Sequence, residues 1–217
     1  MSKYERDFLM RNLYSGVLCD VLDSMGYRSQ GIGQRLMPLD ENTVIFGPAF
    51  TSIATEVYSM PESPLTAQCK VVDQLGEGEI YVLVTRGNYN CAVFGELFAT
   101  AVKKKNGAGV LLDGCVRDMK ALKKMEFPLF YVSCDPRTSK GRMEINECQI
   151  PVNFHGVTIH PGDLIFGDID GIAVIPQAIS EEVIEKALET IKKEDEVRRG
   201  LNEGDSLEAV YKRVGAI

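Results

Sequence analysis

Residues 80–133 read IYVLVTRGNYNCAVFGELFATAVKKKNGAGVLLDGCVRDMKALKKMEFPLFYVS. Three apolar runs, Ile80–Thr85, 108–112 and 128–133, are short and nearly continuous, as strands buried on both faces are. Between the first two, Phe94, Leu97, Phe98, Ala101 and Val102 recur at helical spacing, and Gly107 closes that segment. Between the last two, Met119–Met125 reads as a short helix. Strand, helix, strand, helix, strand is the pattern of a parallel, layered α/β unit.

Upstream, NLYSGVLCDVLDSMG (12–26) has apolar residues at helical spacing and a stop at Gly26. A loop, YRSQGIGQRLMPLDENT, follows. VIFGPAFTSIATEVY reads as strands broken by Gly47-Pro48, and Leu65–Leu75 as a helix ending at the turn cluster GEGE. Downstream, PVNFHGVTIHPGDLIFGDIDGIAVIP alternates short apolar runs with Gly156, Pro161-Gly162 and Asp170-Gly171, which predicts antiparallel hairpins. SEEVIEKALETIKKEDEVRRGL is one long charged helix whose start suits Ser180, Glu181 and Glu182. The simplest organisation is one domain over 1–217, with a core to residue 180 and a C-terminal helical arm over 181–217.

The chain has 217 residues and a net charge of −7, which argues against a nucleic-acid-binding surface, since phosphate binding needs clustered Lys and Arg. Lys103–Lys105 and Lys123–Lys124 stand at predicted helix ends, where cations complement the dipole. The N-terminus lacks an apolar signal core and no run is long enough to span a membrane, so a cytoplasmic location is expected. Six cysteines without CxxC spacing fit a reducing compartment, and with two histidines they do not supply a structural zinc site. His155 and His160 read as strand-end or turn residues.

In parallel α/β layers, ligands gather beyond the carboxyl ends of the strands and at helix N-termini. Two such places are the segment from Arg86 to Leu97 and the segment Asp113–Asp118. Adjacent parallel strands bring them together, so Glu96 and Asp118 face one cleft with Arg117 beside them. Carboxylates without nitrogen or sulfur partners suit Mg²⁺ or Mn²⁺. Arg117 offers a planar fork for a substrate carboxylate, and the N–H groups near Gly95 and Leu97 suit an oxyanion. Asp118 equally suits a plain cap for the helix at Met119.

These residues resemble a known family. GELFATAV…AGVLLDGCVRDMKAL, PVNFHGVTIHPGDLIFGDIDGIAVIP and the early SGVLCDVLDSMG are similar to the regulator of ribonuclease E activity A-like family. That family includes 4-hydroxy-4-methyl-2-oxoglutarate/4-carboxy-4-hydroxy-2-oxoadipate aldolases. Its signature is an acidic residue, twenty intervening residues, then Arg-Asp; here these are Glu96 and Arg117-Asp118, with Glu where the aldolases usually carry Asp. The resemblance implies a β/β/α layered sandwich akin to swivelling domains, assembled as a homotrimer or hexamer. It implies metal-dependent retro-aldol cleavage of a 4-hydroxy-2-oxo di- or tricarboxylic acid to pyruvate, with oxaloacetate decarboxylation as a side activity. Matched by position, the resemblance implies that Asp118 holds the metal, Arg117 binds the pyruvyl oxygens and Glu96 orders water on the ion. It likewise implies that Gly95 and the amide of Leu97 meet the substrate, and that Glu194, or else Glu196, reaches a neighbouring subunit's site. A Schiff-base aldolase needs a desolvated lysine, and the lysine clusters look solvated. The other class is a non-catalytic protein that binds a ribonuclease or helicase.

Overall fold

In a computed structural model, residues 4–33 and 36–215 are described; Gln34 and Arg35 of the predicted 27–43 loop lie outside them, as do the first three and last two residues. The strands Ile80–Val84, Gly109–Asp113 and Leu129–Tyr131 lie side by side in parallel, and the long strand Ile45–Glu56 runs parallel to the first of them. Every residue of these three strands is buried, which is why they read as unbroken apolar runs.

Alternate side chains serve two cores. Tyr81, Leu83, Val110 and Leu112 pack under the helices Thr66–Gln74, Glu96–Lys104 and Met119–Lys124. Ile80, Val82, Val84 and Leu111 face the hairpin Val152–Phe154/Val157–Ile159. Hairpin, sheet and helices give the expected β/β/α layering, with period-2 alternation sorting the residues between faces.

The sheet continues antiparallel from Ile45–Glu56 into Leu164–Asp168, Gly171–Ile175 and Gly31–Ile32. A third apolar cluster covers that end: Leu9 and Leu13, Leu18 and Leu22 of the helix Ser15–Ser24, and Val183, Ile184 and Ala187 of the helix Ser180–Asn202. The long helix therefore packs its first turns onto the sheet. The closing helix Leu207–Val214 folds back on it, with Ser206 capping the N–H of Ala209 at 3.2 Å.

The expected break at Gly47-Pro48 is corrected: Ile45–Glu56 is one continuous strand. Its antiparallel pairing with Leu164–Asp168 ends at Pro48 and its parallel pairing with Ile80–Val84 begins at Ala49. The proline's missing N–H thus falls at the changeover between ladders, where it is tolerated. Gly47 is required there for another reason, since a Cβ would lie 2.2 Å from the carbonyl oxygen of Gly78. Among the described residues, no helix is long and apolar enough to cross a membrane.

Candidate functional site

Past each central parallel strand the chain bends and forms a second, shorter strand: Ala92–Phe94, Cys115–Val116 and Ser133–Cys134, joined in parallel as a small sheet. The two strand ends do come together, but one tier beyond the ends expected from the apolar runs. Gly95 follows the first short strand and Arg117 the second, and the Arg117 N–H continues the ladder to the Phe94 carbonyl at 3.0 Å.

Asp118 stands at the N-cap of the helix Met119–Lys124 in a left-handed conformation, φ 63° and ψ 31°, and its side chain makes no cap bond. The plain-cap reading is therefore set aside. Its Oδ2 instead reaches across and accepts the N–H of Glu96 at 3.2 Å, with Arg117 Nε 3.6 Å away. A left-handed non-glycine costs of order 1 kcal/mol and persists where its surroundings hold it, often at functional sites. The holding is visible: a Cβ on Gly95 would lie 2.6 Å from Asp118 Oδ2 and 3.1 Å from Arg117 Cγ. Gly95 is thus the floor of a cradle that any larger residue would fill.

Arg117 and Asp118 are each about two-fifths exposed, so their ion pair contributes little to stability. They stand at the lip of a cavity of about 280 Å³. Its walls come from the helix Thr66–Gln74 (Cys69, Val72, Asp73), from Phe94, Leu97, Phe98 and Ala101, and from Thr138-Ser139. Leu97 is 77% exposed at this mouth. Sequence spacing did not reveal the walls at 69–73 and 138–139, because they lie far along the chain from the motif. The 138–139 wall is pinned by its neighbours: Asp135 accepts from the Arg137 N–H at 2.7 Å and pairs with its guanidinium at 2.7 Å. Those bonds hold the Asp135 carboxyl down at about 2.

Two predicted residues have side-chain partners within the chain. The Glu96 carboxylate accepts from Thr100 Oγ at 2.9 Å on its own helix, so the backbone of Glu96, rather than its side chain, meets Asp118. Glu194 accepts from Arg198 Nη2 at 2.7 Å and from the Tyr14 hydroxyl. Partial burial, then this carboxylate, pushes the Tyr14 phenol up to about 12. Glu196, the second choice, lies on the exposed face of the same helix.

A buried carboxylate escaped the sequence reading. Asp113, at the end of its central strand, accepts from the Tyr89 hydroxyl at 2.8 Å and from His155 Nε2 at 3.0 Å. His155 sits in the hairpin turn with φ +50°, as its place before Gly156 suggested, and it ties that hairpin to the sheet. A polar residue closing an apolar run was the available signal.

The donor set also bears on a metal. Among the described residues, no group of three or more His, Cys, Asp or Glu side chains converges on one point. A cage built wholly of protein donors is therefore not offered. Mg²⁺ keeps most of its water and needs one or two carboxylates. Asp118 Oδ1 has no hydrogen-bond partner among the described residues, and its carboxylate is held in the Gly95 cradle, so Asp118 fits a largely hydrated ion.

A β/β/α layered fold with an acidic residue, twenty residues and Arg-Asp at a cavity lip defines a class, and a family model confirms it. The model described as RraA-like, Aldolase/RraA, matches residues 16–174, and the chain belongs to that family. A protein of Halalkalibacterium halodurans, provisionally named a 4-hydroxy-4-methyl-2-oxoglutarate aldolase, is 31% identical over 86% of this chain and 85% of its own length. Protein DlpA of Legionella pneumophila is 29% identical over 91% of this chain, which spans only 32% of DlpA. Among solved structures, Streptomyces coelicolor RraAS2, described as an unusual member of the RNase ES inhibitor RraA protein family, superimposes with a TM-score of 0.77 at 25% identity, covering 91% of this chain and 98% of that one.

Proposed function

We propose that this protein cleaves a 4-hydroxy-2-oxo acid by a retro-aldol reaction that releases pyruvate, with decarboxylation of oxaloacetate as a side activity. The observation that carries the reading is the Gly95 cradle, which fixes the Asp118 carboxylate and the Arg117 guanidinium side by side at the lip of a cavity. The aldolase name of the Halalkalibacterium relative supports it.

Arg117 binds the carboxylate and 2-oxo oxygens through its fork. The N–H of Leu97, at the start of the helix Glu96–Lys104, adds a donor to the same oxygens. A divalent ion, Mg²⁺ or Mn²⁺, held by Asp118 would supply Lewis-acid polarisation of the 2-oxo group. A base takes the proton of the C4 hydroxyl; Glu194 of the partner subunit or a water ordered by Glu96 fills that role. The C3–C4 bond then breaks, its electron pair enters the pyruvate enolate, and Arg117 stabilises that charge until C3 is protonated. Oxaloacetate passes through the same enolate on losing CO₂, which makes it the expected second substrate.

The test is pyruvate release measured with Mg²⁺, with EDTA and in Arg117→Ala. Chelation and the substitution should each suppress it, the latter by about 10²–10³-fold, or ~3–4 kcal/mol, as for a lost oxyanion donor. Equal rates in all three arms would refute the proposal. The Streptomyces neighbour, described as belonging to an RNase ES inhibitor family, favours a second reading, a non-catalytic regulator that binds a ribonuclease. Retention of such a partner by the inactive Arg117→Ala protein would support it.

A further inference from the structure

A groove of about 1130 Å³ lies at the edge of the sheet where the central parallel strands begin, between the helix Arg6–Asn12 and the start of the helix Ser180–Asn202. Leu9, Phe46, Pro48 and Ile184 give it an apolar floor, and Glu5, Glu77, Glu181, Glu182 and Glu185 stand around its rim. Arg6 is there too, with its guanidinium committed to the carbonyls of Phe46 at 2.8 Å and Ala108 at 3.4 Å, and Lys186 offsets Glu182 at 2.8 Å. The rim as a whole is acidic. The same edge carries the opposite charge a short way along it. The helices Glu96–Lys104 and Met119–Lys124 both end there, with Lys103 and Lys104 in the last turn of one and Lys123 and Lys124 in that of the other. Lys103 Nζ bonds the Met125 carbonyl at 3.2 Å and so joins the two ends into one patch. Two backbone bonds, Gly78 N–H to the Asn106 carbonyl at 2.9 Å and Ala108 N–H to the Glu79 carbonyl at 2.8 Å, set the turn that carries Glu77 beside the loop that follows this patch. All four lysines are exposed. Among the described residues, no carboxylate pairs with any of them.

We infer that this edge is a docking surface for a second copy of this chain, whose lysine patch seats in the glutamate-rimmed groove. Groove and patch lie side by side on one edge. A two-fold axis running between them, in the plane of the edge, therefore lays each patch over the other copy's groove, and the contact is made twice and closes on itself. Any register that sets lysine on lysine and glutamate on glutamate is disfavoured by repulsion, so the charges fix the orientation. Exposed ion pairs are worth little one at a time; here several act together around an apolar floor. Lysine suits that floor, because its four-carbon stem covers apolar surface while the ammonium reaches the rim. The net charge of −7 repels a second copy at long range, but salt at about 0.1 M confines that repulsion to about 10 Å, and at contact the local complementarity prevails. Glu194 stands several turns further along its helix than the groove, and Arg117 lies beyond the other end of the strands. The contact is thus separate from the reaction proposed above.

The experiment reads the mass of the full chain by light scattering over a concentration series at about 0.1 M salt. Lys104→Glu/Lys124→Glu should weaken the pairing by about a hundredfold, because like charges then face each other at both contacts. Glu77→Lys/Glu181→Lys should weaken it as much, so that the parent has twice the mass of either variant at the same concentration. The second variant separates the inference from general charge effects: it brings the net charge nearer zero, which by itself promotes association. An equal mixture of the two variants should pair again, since the acidic patch of one then meets the basic rim of the other at both contacts. Thermal melts by circular dichroism establish that each variant is folded. Should reversal disturb the helix ends, the milder Lys104→Gln/Lys124→Gln should still weaken pairing by about tenfold. A parent with the same mass as the reversed variants, a Glu77→Lys/Glu181→Lys protein that pairs as the parent does, or a mixture that does not recover overturns the inference. A parent that stays unpaired yet binds oligolysine through Glu77 and Glu181 overturns it as well, and gives the groove to a basic partner of another kind.

Discussion

At the scale of single residues, Gly95 carries a sharper prediction than the charged groups it supports. A methyl group there would press on Asp118 Oδ2 at 2.6 Å, closer than non-bonded atoms tolerate. The carboxylate must move, and the Glu96 N–H loses its acceptor. Gly95→Ala should therefore lose most pyruvate release and weaken Mg²⁺ binding, measured by isothermal titration, while melting within a few degrees of the parent. Equal Mg²⁺ affinity in the two proteins would show that the cradle does not hold the metal-binding carboxylate. Asp135 offers a prediction in pH. Its carboxyl is lowered from an ordinary 3.8 to about 2 by the bonds from Arg137. A lowered folded-state value means the clamp stabilises the protein at pH above about 4, and that the contribution fades as pH falls toward about 2. Asp135→Asn should melt lower than the parent at pH 7, and the gap should narrow through that window. A gap that is constant down to pH 2.5 would mean the ionised carboxylate is not its source.

At the scale of elements, legibility followed length and periodicity. The strand at 80–84, the helix at 96–104 and the long helix from Ser180 each span enough residues for the apolar pattern to repeat, and each was predicted within a residue or two of its bounds. Cys115–Val116 and Ser133–Cys134 have two residues apiece and no period to detect. They exist because the neighbouring chain already lies alongside, so the small sheet that carries the site is a tertiary consequence. The strand Met143–Cys148 was missed because its burial pattern is irregular and a bulge interrupts its register with Ile45–Glu56. The helix Arg6–Asn12 hides in a polar sequence, since among its residues only Leu9 is buried. The signature residues were legible through spacing, but the direction of the Glu96 side chain depends on Thr100 and was not. The hairpin Val152–Phe154/Val157–Ile159 shows the same dependence on distant partners, being latched to the sheet by His155 and Asp113. His155→Ala should cost about 1–3 kcal/mol, because it leaves a buried carboxylate with one partner in place of two. His155→Asn, which tolerates positive φ and can donate, should recover part of it. Urea unfolding reads both, and an unchanged midpoint in His155→Ala would mean that the latch contributes nothing.

At the scale of the whole molecule, Glu194 poses the remaining question. Within one chain its carboxylate is shared by Tyr14 and Arg198, groups that join the long helix to the helix Ser15–Ser24 at the end of the sheet beyond Leu164–Asp168. In the proposed reaction Glu194 would act as base for the C4 hydroxyl from across a subunit boundary. A head-to-tail ring of three would supply such a boundary once per site, with each helix serving its neighbour. This arrangement has a consequence that a self-contained site lacks. Arg117→Ala subunits keep a functional Glu194, and Glu194→Gln subunits keep a functional Arg117. If each site draws one residue from each of two chains, subunits of the two inactive proteins mixed in equal amounts and reassembled should regain activity at about a quarter of the sites, the fraction in which an intact Arg117 faces an intact Glu194. Light scattering would test for the ring, and the pyruvate assay would read the recovery. A mixture no more active than its components would confine the chemistry to a single chain, leaving Glu194 as the acceptor that holds Tyr14 and Arg198 together.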